Sequence, residues 1–279
     1  MAAAHGLATD SHLHIIDPAR FPFADGPGYR PAAHERGTGE DLAAVLAANG
    51  IGRAVLIQPS GYGYDNSAIL AALRQFPERY RAIAVIAGSE SDRELRDLAE
   101  AGVVGVRCNL ASFDGQALTG SAAERLLDRV RALGWLVQVH GRDSQWAEAT
   151  PLLLRKGVRV LVDHFGVGGR GVPVSAPGFR AVLALGRSRR AVVKLSAPFR
   201  LADPGDGYAA IAPHVELLLE AFAPEHRLWG SDWPFLAMPA GITYAASLAA
   251  LARWLPDAAE REAVLVRNPG ELFGLTGGA

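Results

Sequence analysis

Short apolar runs rich in β-branched residues alternate with longer Ala/Leu/Arg segments of helical period, and the alternation repeats eight times along the chain. Such a chain is expected to fold as repeated βα units around a parallel sheet. Strands are expected at 10–15, 53–58, 81–86, 103–107, 135–140, 159–164, 191–195 and 227–231. Helices are expected at 40–49, 66–76, 92–101, 121–133, 144–156, 179–186, 208–222 and 243–254, with a last one at 257–266. Gly50, Gly102 and Gly134 stop three of the first four, as helix C-termini favour. Eight units in about 250 residues match a single (β/α)8 TIM barrel, whereas a doubly wound sheet would need fewer strands and a phosphate-binding first turn. No linker or change of composition divides the chain, so 1–279 read as one domain.

A barrel collects its chemistry at the C-terminal ends of its strands. In Asp10-Ser11-His12-Leu13-His14 the period-two alternation puts Asp10, His12 and His14 on one side of the first strand. Two imidazoles so spaced can reach one cation, with Asp10 placed to orient one of them. His140 closes the fifth strand, His164 closes the sixth, and Asp232 follows the eighth, so five groups are expected at one mouth. His5, His34, His214 and His226 fall in a tail, a loop or helical flanks and read as solvated. Tyr62, Tyr64 and Trp233 lie on mouth loops and are candidates to wall the pocket. Lys194 needs a partner if it points inward, and Asp163 is a candidate.

The remaining features narrow the function by exclusion. A formal charge of −1 gives no bias toward nucleic acid or anionic membranes, which leaves a small-molecule substrate as the expected partner. No stretch approaches the roughly 20 apolar residues of a membrane helix, and the N-terminus lacks the pattern of a cleaved leader. The single cysteine, Cys108, excludes an intramolecular disulfide and a tetrathiolate zinc site, so a cytoplasmic location is expected and the thiol reads as a buried small hydrophobe. Gly166 to Gly171 satisfies G-x-G-x-x-G, but Pro173 and Pro177 prevent the immediate helix a dinucleotide needs, so a loop over the mouth is expected instead. No G-x-S-x-G elbow supports a serine triad. Composition says nothing of oligomeric state.

The H-x-H pair, the histidines closing the fifth and sixth strands, G-S-D-W-P at the eighth and the ending N-P-x-x-L-F-G (Asn268 to Gly274) resemble the amidohydrolase-related family that includes pyrone dicarboxylate lactonase and aminocarboxymuconate semialdehyde decarboxylase. The resemblance covers nearly the whole chain. Q-P-S-G-Y-G-Y-D-N (Gln58 to Asn66), G-V-R-C-N (Gly105 to Asn109) and K-L-S-A-P-F-R (Lys194 to Arg200) are similar to substrate-binding segments of the lactonase branch. They imply that Ser60, Arg107 and Arg200 hold a substrate carboxylate, a role that suits the guanidinium fork. The sequence between 109 and 118 has no arginine and the loop after the sixth strand reads FGVGGRG, where the lactonase carries further basic residues. A smaller or singly charged lactone is implied.

On this resemblance the chain is a hydrolase that opens a small carboxylated lactone. Asp232 is expected to deprotonate water, and His12, His14 and His164 to polarise the carbonyl. One divalent metal, zinc by the donor types, could take over the polarisation, held by His12, His14, His140 and Asp232. The lactonase branch implies no metal and the decarboxylase branch implies zinc. A metal-dependent decarboxylase of a small unsaturated acid is one alternative, and a non-catalytic small-molecule-binding barrel, which would have lost mouth ligands, is another.

Overall fold

The computed structural model describes residues 7–25, 29–111 and 118–276. Eight parallel strands form one sheet in sequence order: β1 (Thr9–Leu13), β2 (Arg53–Ile57), β3 (Tyr80–Ala84), β4 (Val103–Asn109), β5 (Leu136–His140), β6 (Arg159–Val162), β7 (Ala191–Ser196) and β8 (Arg227–Gly230). The connecting helices are α1 (Gly39–Ala48), α2 (Ser67–Gln75), α3 (Asp92–Glu100), α4 (Gly120–Ala132), α5 (Asp143–Lys156), α6 (Pro177–Arg187), α7 (Ala212–Ala221) and α8 (Tyr244–Trp254). Thr38 and Ser91 cap α1 and α3 through reciprocal bonds with Asp41 and Glu94, which satisfies amides that a helix start leaves open. The last and first strands meet through the segment just past β8. Asp232 N donates to His12 O at 2.8 Å and His14 N to Trp233 O at 2.8 Å. The seam of this (β/α)8 TIM barrel is thus made by the residues expected to carry the chemistry.

Two apolar layers follow from the alternation of side chains. Outward-facing residues such as Val106, Val137, Val139 and Val193 pack under the helices in one large core. Inward-facing Val55, Ile57, Ile83, Leu136, Leu161, Val192 and Leu228 form a second, smaller core at the bottom of the barrel. Phe273 and Leu275 from the chain's end plug it.

Two helices differ from the sequence expectation. The segment expected as 208–222 turns helical only at Ala212, because Tyr208 takes a left-handed conformation (φ 65°) between short 3-10 turns. The segment expected to end at 266 instead passes from α9 (Ala258–Glu262) through a π turn (Ala263–Arg267) into α10 (Asn268–Phe273), since Pro269 is tolerated in a first helical turn. Among the described residues no helix is long and apolar enough to cross a membrane. His5 and residues 112–117 of the loop after β4 lie outside the described residues.

Candidate active site

Each strand supplies its inward positions in order, so the apolar bottom gives way to polar groups two and four residues further along. In β5 the series is Leu136, Gln138, His140; in β7 it is Val192, Lys194, Ser196; in β4 it is Gly105, Arg107, Asn109. The register pairs Arg107 with Gln138 and Asn109 with His140, which stacks these residues in rings at common heights. Above the upper ring opens a cavity of about 370 Å³ lined by Ser60, Asn109, His140, His164, Arg200 and Asp232, among others.

At its base, Asp232 Oδ1 lies 3.5 Å from His12 Nε2, 3.5 Å from His14 Nε2 and 3.7 Å from His164 Nε2. His14 is aimed by a 2.8 Å bond between its Nδ1 and the carbonyl of Ile57, and His164 by a 2.9 Å bond between its Nδ1 and Ser196 Oγ. Asp232 has φ 65°, which turns its side chain back over the barrel axis. Gly230 lets β8 approach β1, since a Cβ there would sit 2.5 Å from that of His12. Asp232 Oδ2 receives Arg200 Nε at 2.6 Å, and Arg200 Nη2 also holds Leu236 O at 2.8 Å.

Adjacent residues on a strand face opposite ways, yet Asp163 and His164 both point inward. The strand ends at Val162, and His164 and Phe165 enter the left-handed region (φ 49° and 60°), which reverses the alternation. Asp163 is buried below the cavity, Oδ1 3.2 Å from His12 Nδ1 and 3.4 Å from Lys194 Nζ, with Gln138 Nε2 donating to Oδ2 at 3.0 Å. Lys194 therefore does point into the barrel with Asp163 near it. Arg107 is held by Gln58 O at 3.0 Å and lies 4.0 Å from Asp163. Asn109 Nδ2 donates to Ser60 Oγ at 2.9 Å, leaving that hydroxyl's own proton for a ligand.

Burial and charge set the protonation of these groups. Burial pushes His12 down to about 3 against the field of Asp163, and pushes His140 down to about 4. His164 falls well below the usual imidazole range by burial, against the field of Asp232. These three rings are neutral near pH 7. Burial alone would raise Asp232 and Asp163, but the Arg200 guanidinium holds the first well below the carboxylate range and the Lys194 ammonium holds the second there. Lys194 drops to about 8 through burial, opposed by Asp163.

Among the described residues, His12 Nε2 and Asp232 Oδ1 are both buried without a hydrogen-bond partner. With His14 they form a group whose ligand atoms all lie within 4.8 Å, so the residues fit one divalent cation. A second group of the same kind, His12, Asp163 and His164, has the Lys194 ammonium 3.4 Å from Asp163 Oδ1, and that charge opposes a cation there. His140 belongs to neither group; its ring meets that of His164 edge-on, with centroids 5.2 Å apart.

Several sequence expectations are corrected. Asp10 orients no imidazole: its Oδ1 accepts the backbone amides of His12 and Ser231 at 3.0 Å each and its Oδ2 the Tyr244 hydroxyl at 2.8 Å, so it ties β1 to β8. Tyr62 is buried with its hydroxyl on Asp17 N, Tyr64 is exposed, and Trp233 packs over Gly37; Tyr29 lines the cavity instead. His214 is buried against Phe179 rather than solvated. Arg200, implied by the resemblance to hold a substrate carboxylate, is also ion-paired to Asp232. Gln138 was missed, although a polar residue at an inward position of L-V-Q-V-H was a signal that could have found it. Cys108 is buried, which pushes its thiol up to about 12 and leaves it inert.

The chain is similar to known proteins over most of its length. The chain is 32% identical over 276 residues to a 4-sulfomuconolactone hydrolase of Rhizobium radiobacter, covering 96% of this chain and 90% of that protein. It is 28% identical to a D-galactarolactone isomerase of Agrobacterium fabrum, covering 96% and 91%. A crystal structure of a probable 2-pyrone-4,6-dicarboxylic acid hydrolase from Acinetobacter baumannii with citric acid bound superposes with a TM-score of 0.85 at 29% identity, covering 96% and 99%. The amidohydrolase family model of the Amidohydro_2 type matches residues 9–275, from the first strand to the plug of the barrel, and the chain belongs to that family of enzymes.

Proposed function

We propose that this enzyme hydrolyses a small lactone bearing an acidic group, with Asp232 as the base. The observation that carries the reading is Asp232 Oδ1: a buried carboxylate oxygen without a hydrogen-bond partner among the described residues, facing three imidazole nitrogens at the floor of a cavity that Arg107, Arg142 and Arg200 also line. Arg200 Nη1 makes no hydrogen bond among the described residues, and with Arg107 and the Ser60 hydroxyl it suits a substrate acid. Water positioned at Oδ1 attacks the lactone carbonyl, its proton passing to Asp232. The ring C–O bond then breaks, and Asp232 returns the proton to the departing oxygen, giving the ring-opened acid. That return matters because burial leaves His12, His140 and His164 neutral, so none of them is an imidazolium donor near pH 7.

The residues that would hold a metal are His12, His14 and Asp232, with His140 at the wall beside His164. When bound, one divalent ion, zinc by its nitrogen and oxygen donors, supplies carbonyl polarisation and a lowered pKa for water. The relatives named for lactones support the substrate class, and the 1–279 chain works as one domain in the cytoplasm on this reading. Turnover of a panel of carboxylated and uncharged lactones, with products identified by mass spectrometry, is the test. Ring-opened acid from the carboxylated members supports the proposal; carbon dioxide release would turn it into a decarboxylase, and no turnover of any lactone would overturn it.

A further inference from the structure

The arginine after β5 and the glycine-rich loop after β6 are parts of the cavity wall that the proposed reaction leaves unused. Strand β5 brings Gln138 level with Arg107 and His140 level with Asn109, and Arg142 follows two residues further on, at the rim. Its main chain is pinned: Arg142 N donates to Gln145 Oε1 at 2.7 Å, and Gln145 Nε2 in turn holds Leu110 O. Gly168 packs so close that a Cβ there would sit 2.5 Å from Arg142 Cα. The loop of Gly168 is tied down by Arg170 Nη2, which reaches Phe199 O at 3.0 Å and Ala202 O at 3.1 Å. On this anchored backbone sits an unanchored side chain. Among the described residues the Arg142 guanidinium makes no hydrogen bond or ion pair, whereas Arg107 and Arg200 each have protein partners. Gly168 and Gly169 line the same cavity, and neither main-chain N–H has a hydrogen-bond partner among the described residues.

Charge points the same way. Among the described lining residues, three guanidinium groups, of Arg107, Arg142 and Arg200, share the cavity with one carboxylate, that of Asp232. Asp163, 4.0 Å from Arg107, has the Lys194 ammonium 3.4 Å away as its own counter-charge. Asp143, next to Arg142, accepts Gly178 N at 2.5 Å and does not line the cavity. A single acid on Arg107, Arg200 and Ser60 leaves the positive charge at the rim unmatched, and a guanidinium beside main-chain N–H donors suits an oxyanion group. We propose that Arg142 and the amides of Gly168 and Gly169 form a second anion subsite at the rim, which holds a second acid group of the substrate. The substrate is then a lactone with two acids, one near the floor and one at the rim, an inference that rests on the lactone reading of the same cavity. It replaces the singly charged lactone implied by the sequence, in which residues 109–118 contain no arginine: the turn after β5 supplies the cation that the segment after β4 lacks. The glycines between Gly166 and Gly171 thereby serve an acid group rather than a dinucleotide.

The test is equilibrium binding to the full chain, by titration calorimetry at physiological salt, of succinate, glutarate and adipate against the monocarboxylates of matching length, butyrate, pentanoate and hexanoate. In the wild type at least one dicarboxylate is expected to bind about 10-fold more tightly than its monocarboxylate, the low end for hydrogen bonds to a charged group because Arg142 is exposed. In Arg142→Gln that preference should vanish while the monocarboxylates bind as before; the replaced guanidinium has no protein partner, so the variant should fold. Equal affinity within every pair in the wild type overturns the subsite, as does a preference that survives Arg142→Gln. An equal loss for both series in the variant also overturns it, because Arg142 would then add only general positive potential. None of these acids is hydrolysed, so the outcomes separate. A preference for two acids without turnover of any lactone leaves the subsite standing and sinks the hydrolase, and lactone turnover without that preference does the reverse. Binding of none of the acids sinks the subsite together with the acid-bearing substrate.

Discussion

The lower and upper halves of the barrel interior are built by the same strands with the same alternation, yet they are chemically opposite. The lower half holds Val55, Ile57, Ile83, Leu161 and Val192 around the Phe273 plug. The upper half, two residues on, holds Arg107, Gln138, Asp163, Lys194 and the histidines, all buried or nearly so. The apolar half gains free energy from burial itself. The charged half gains little from burial and holds together only because each charge meets an opposite charge or a fixed dipole. The lower half therefore serves as a rigid base on which an expensive polar arrangement can be assembled. If so, damage to the two halves should separate: the upper half should show in rate, the lower in stability.

The largest separation is expected for Asp232→Asn. The amide is nearly isosteric but cannot take the proton of water, and loss of a general base costs on the order of 100- to 10,000-fold in rate. Arg200 is 23% exposed, so its charge can turn to solvent and the melting temperature should change little. Steady-state kinetics beside a thermal melt decides the matter, and a variant keeping most of its turnover would pass the role of base to His164. Phe273→Ala is the mirror experiment. It empties the plug of the lower half and should cost about 3–5 kcal/mol of stability, while kcat per folded molecule stays at the wild-type value. A matching loss of kcat would mean that the base and the site are not separable.

The two halves also differ in how far the sequence revealed them. The lower half and the barrel were legible because β-branched runs separated by helical segments repeat eight times, and period two assigns each side chain a face. His12, His14, His140 and Asp232 line the mouth or lie directly beneath it as their strand-end positions suggested. Asp163 was not assignable, because its direction depends on the left-handed turn at His164 and Phe165, a tertiary constraint with no local signal. Asp10 departs from its expected role for a related reason: alternation puts it on the inward side, but beside the nearby His12 amide its carboxylate takes one amide and one hydroxyl from residues more than 200 positions away, Ser231 and Tyr244. The Arg200–Asp232 pair likewise joins two loops whose meeting only the closed barrel brings about.

Arg200→Ala sharpens the comparison within the upper half. Losing charge-assisted bonds to a substrate acid should cost about 1.5–3 kcal/mol, read as a rise in KM for carboxylated lactones and little change for uncharged ones. It should also move the pH profile in a definite direction. In the wild type, burial raises the Asp232 pKa but the Arg200 guanidinium more than offsets it, so the carboxylate remains ionised and competent as a base down to low pH. Without Arg200 the balance shifts toward the raised value, and the acidic limb of the rate profile should move to higher pH. An acidic limb that stays put while KM rises would leave Arg200 as a substrate contact alone.

The smallest expected effect tests the boundary itself, at Ile57, a residue that serves both halves. Its side chain is buried in the lower core, and its carbonyl accepts the His14 Nδ1 proton at 2.8 Å. Ile57→Val removes one methylene from the lower half and leaves the carbonyl in place. The expected cost is about 0.5–1.5 kcal/mol of stability, with kcat and KM within experimental error of the wild type, because the site uses only the main chain at this position. Chemical denaturation and steady-state kinetics on the same preparation measure both. If kcat falls by more than about threefold, an error of roughly 0.6 kcal/mol in transition-state energy, then the cavity left by the methylene has let β2 shift enough to re-aim His14. The apolar base would then be tuning the geometry of the site rather than merely supporting it.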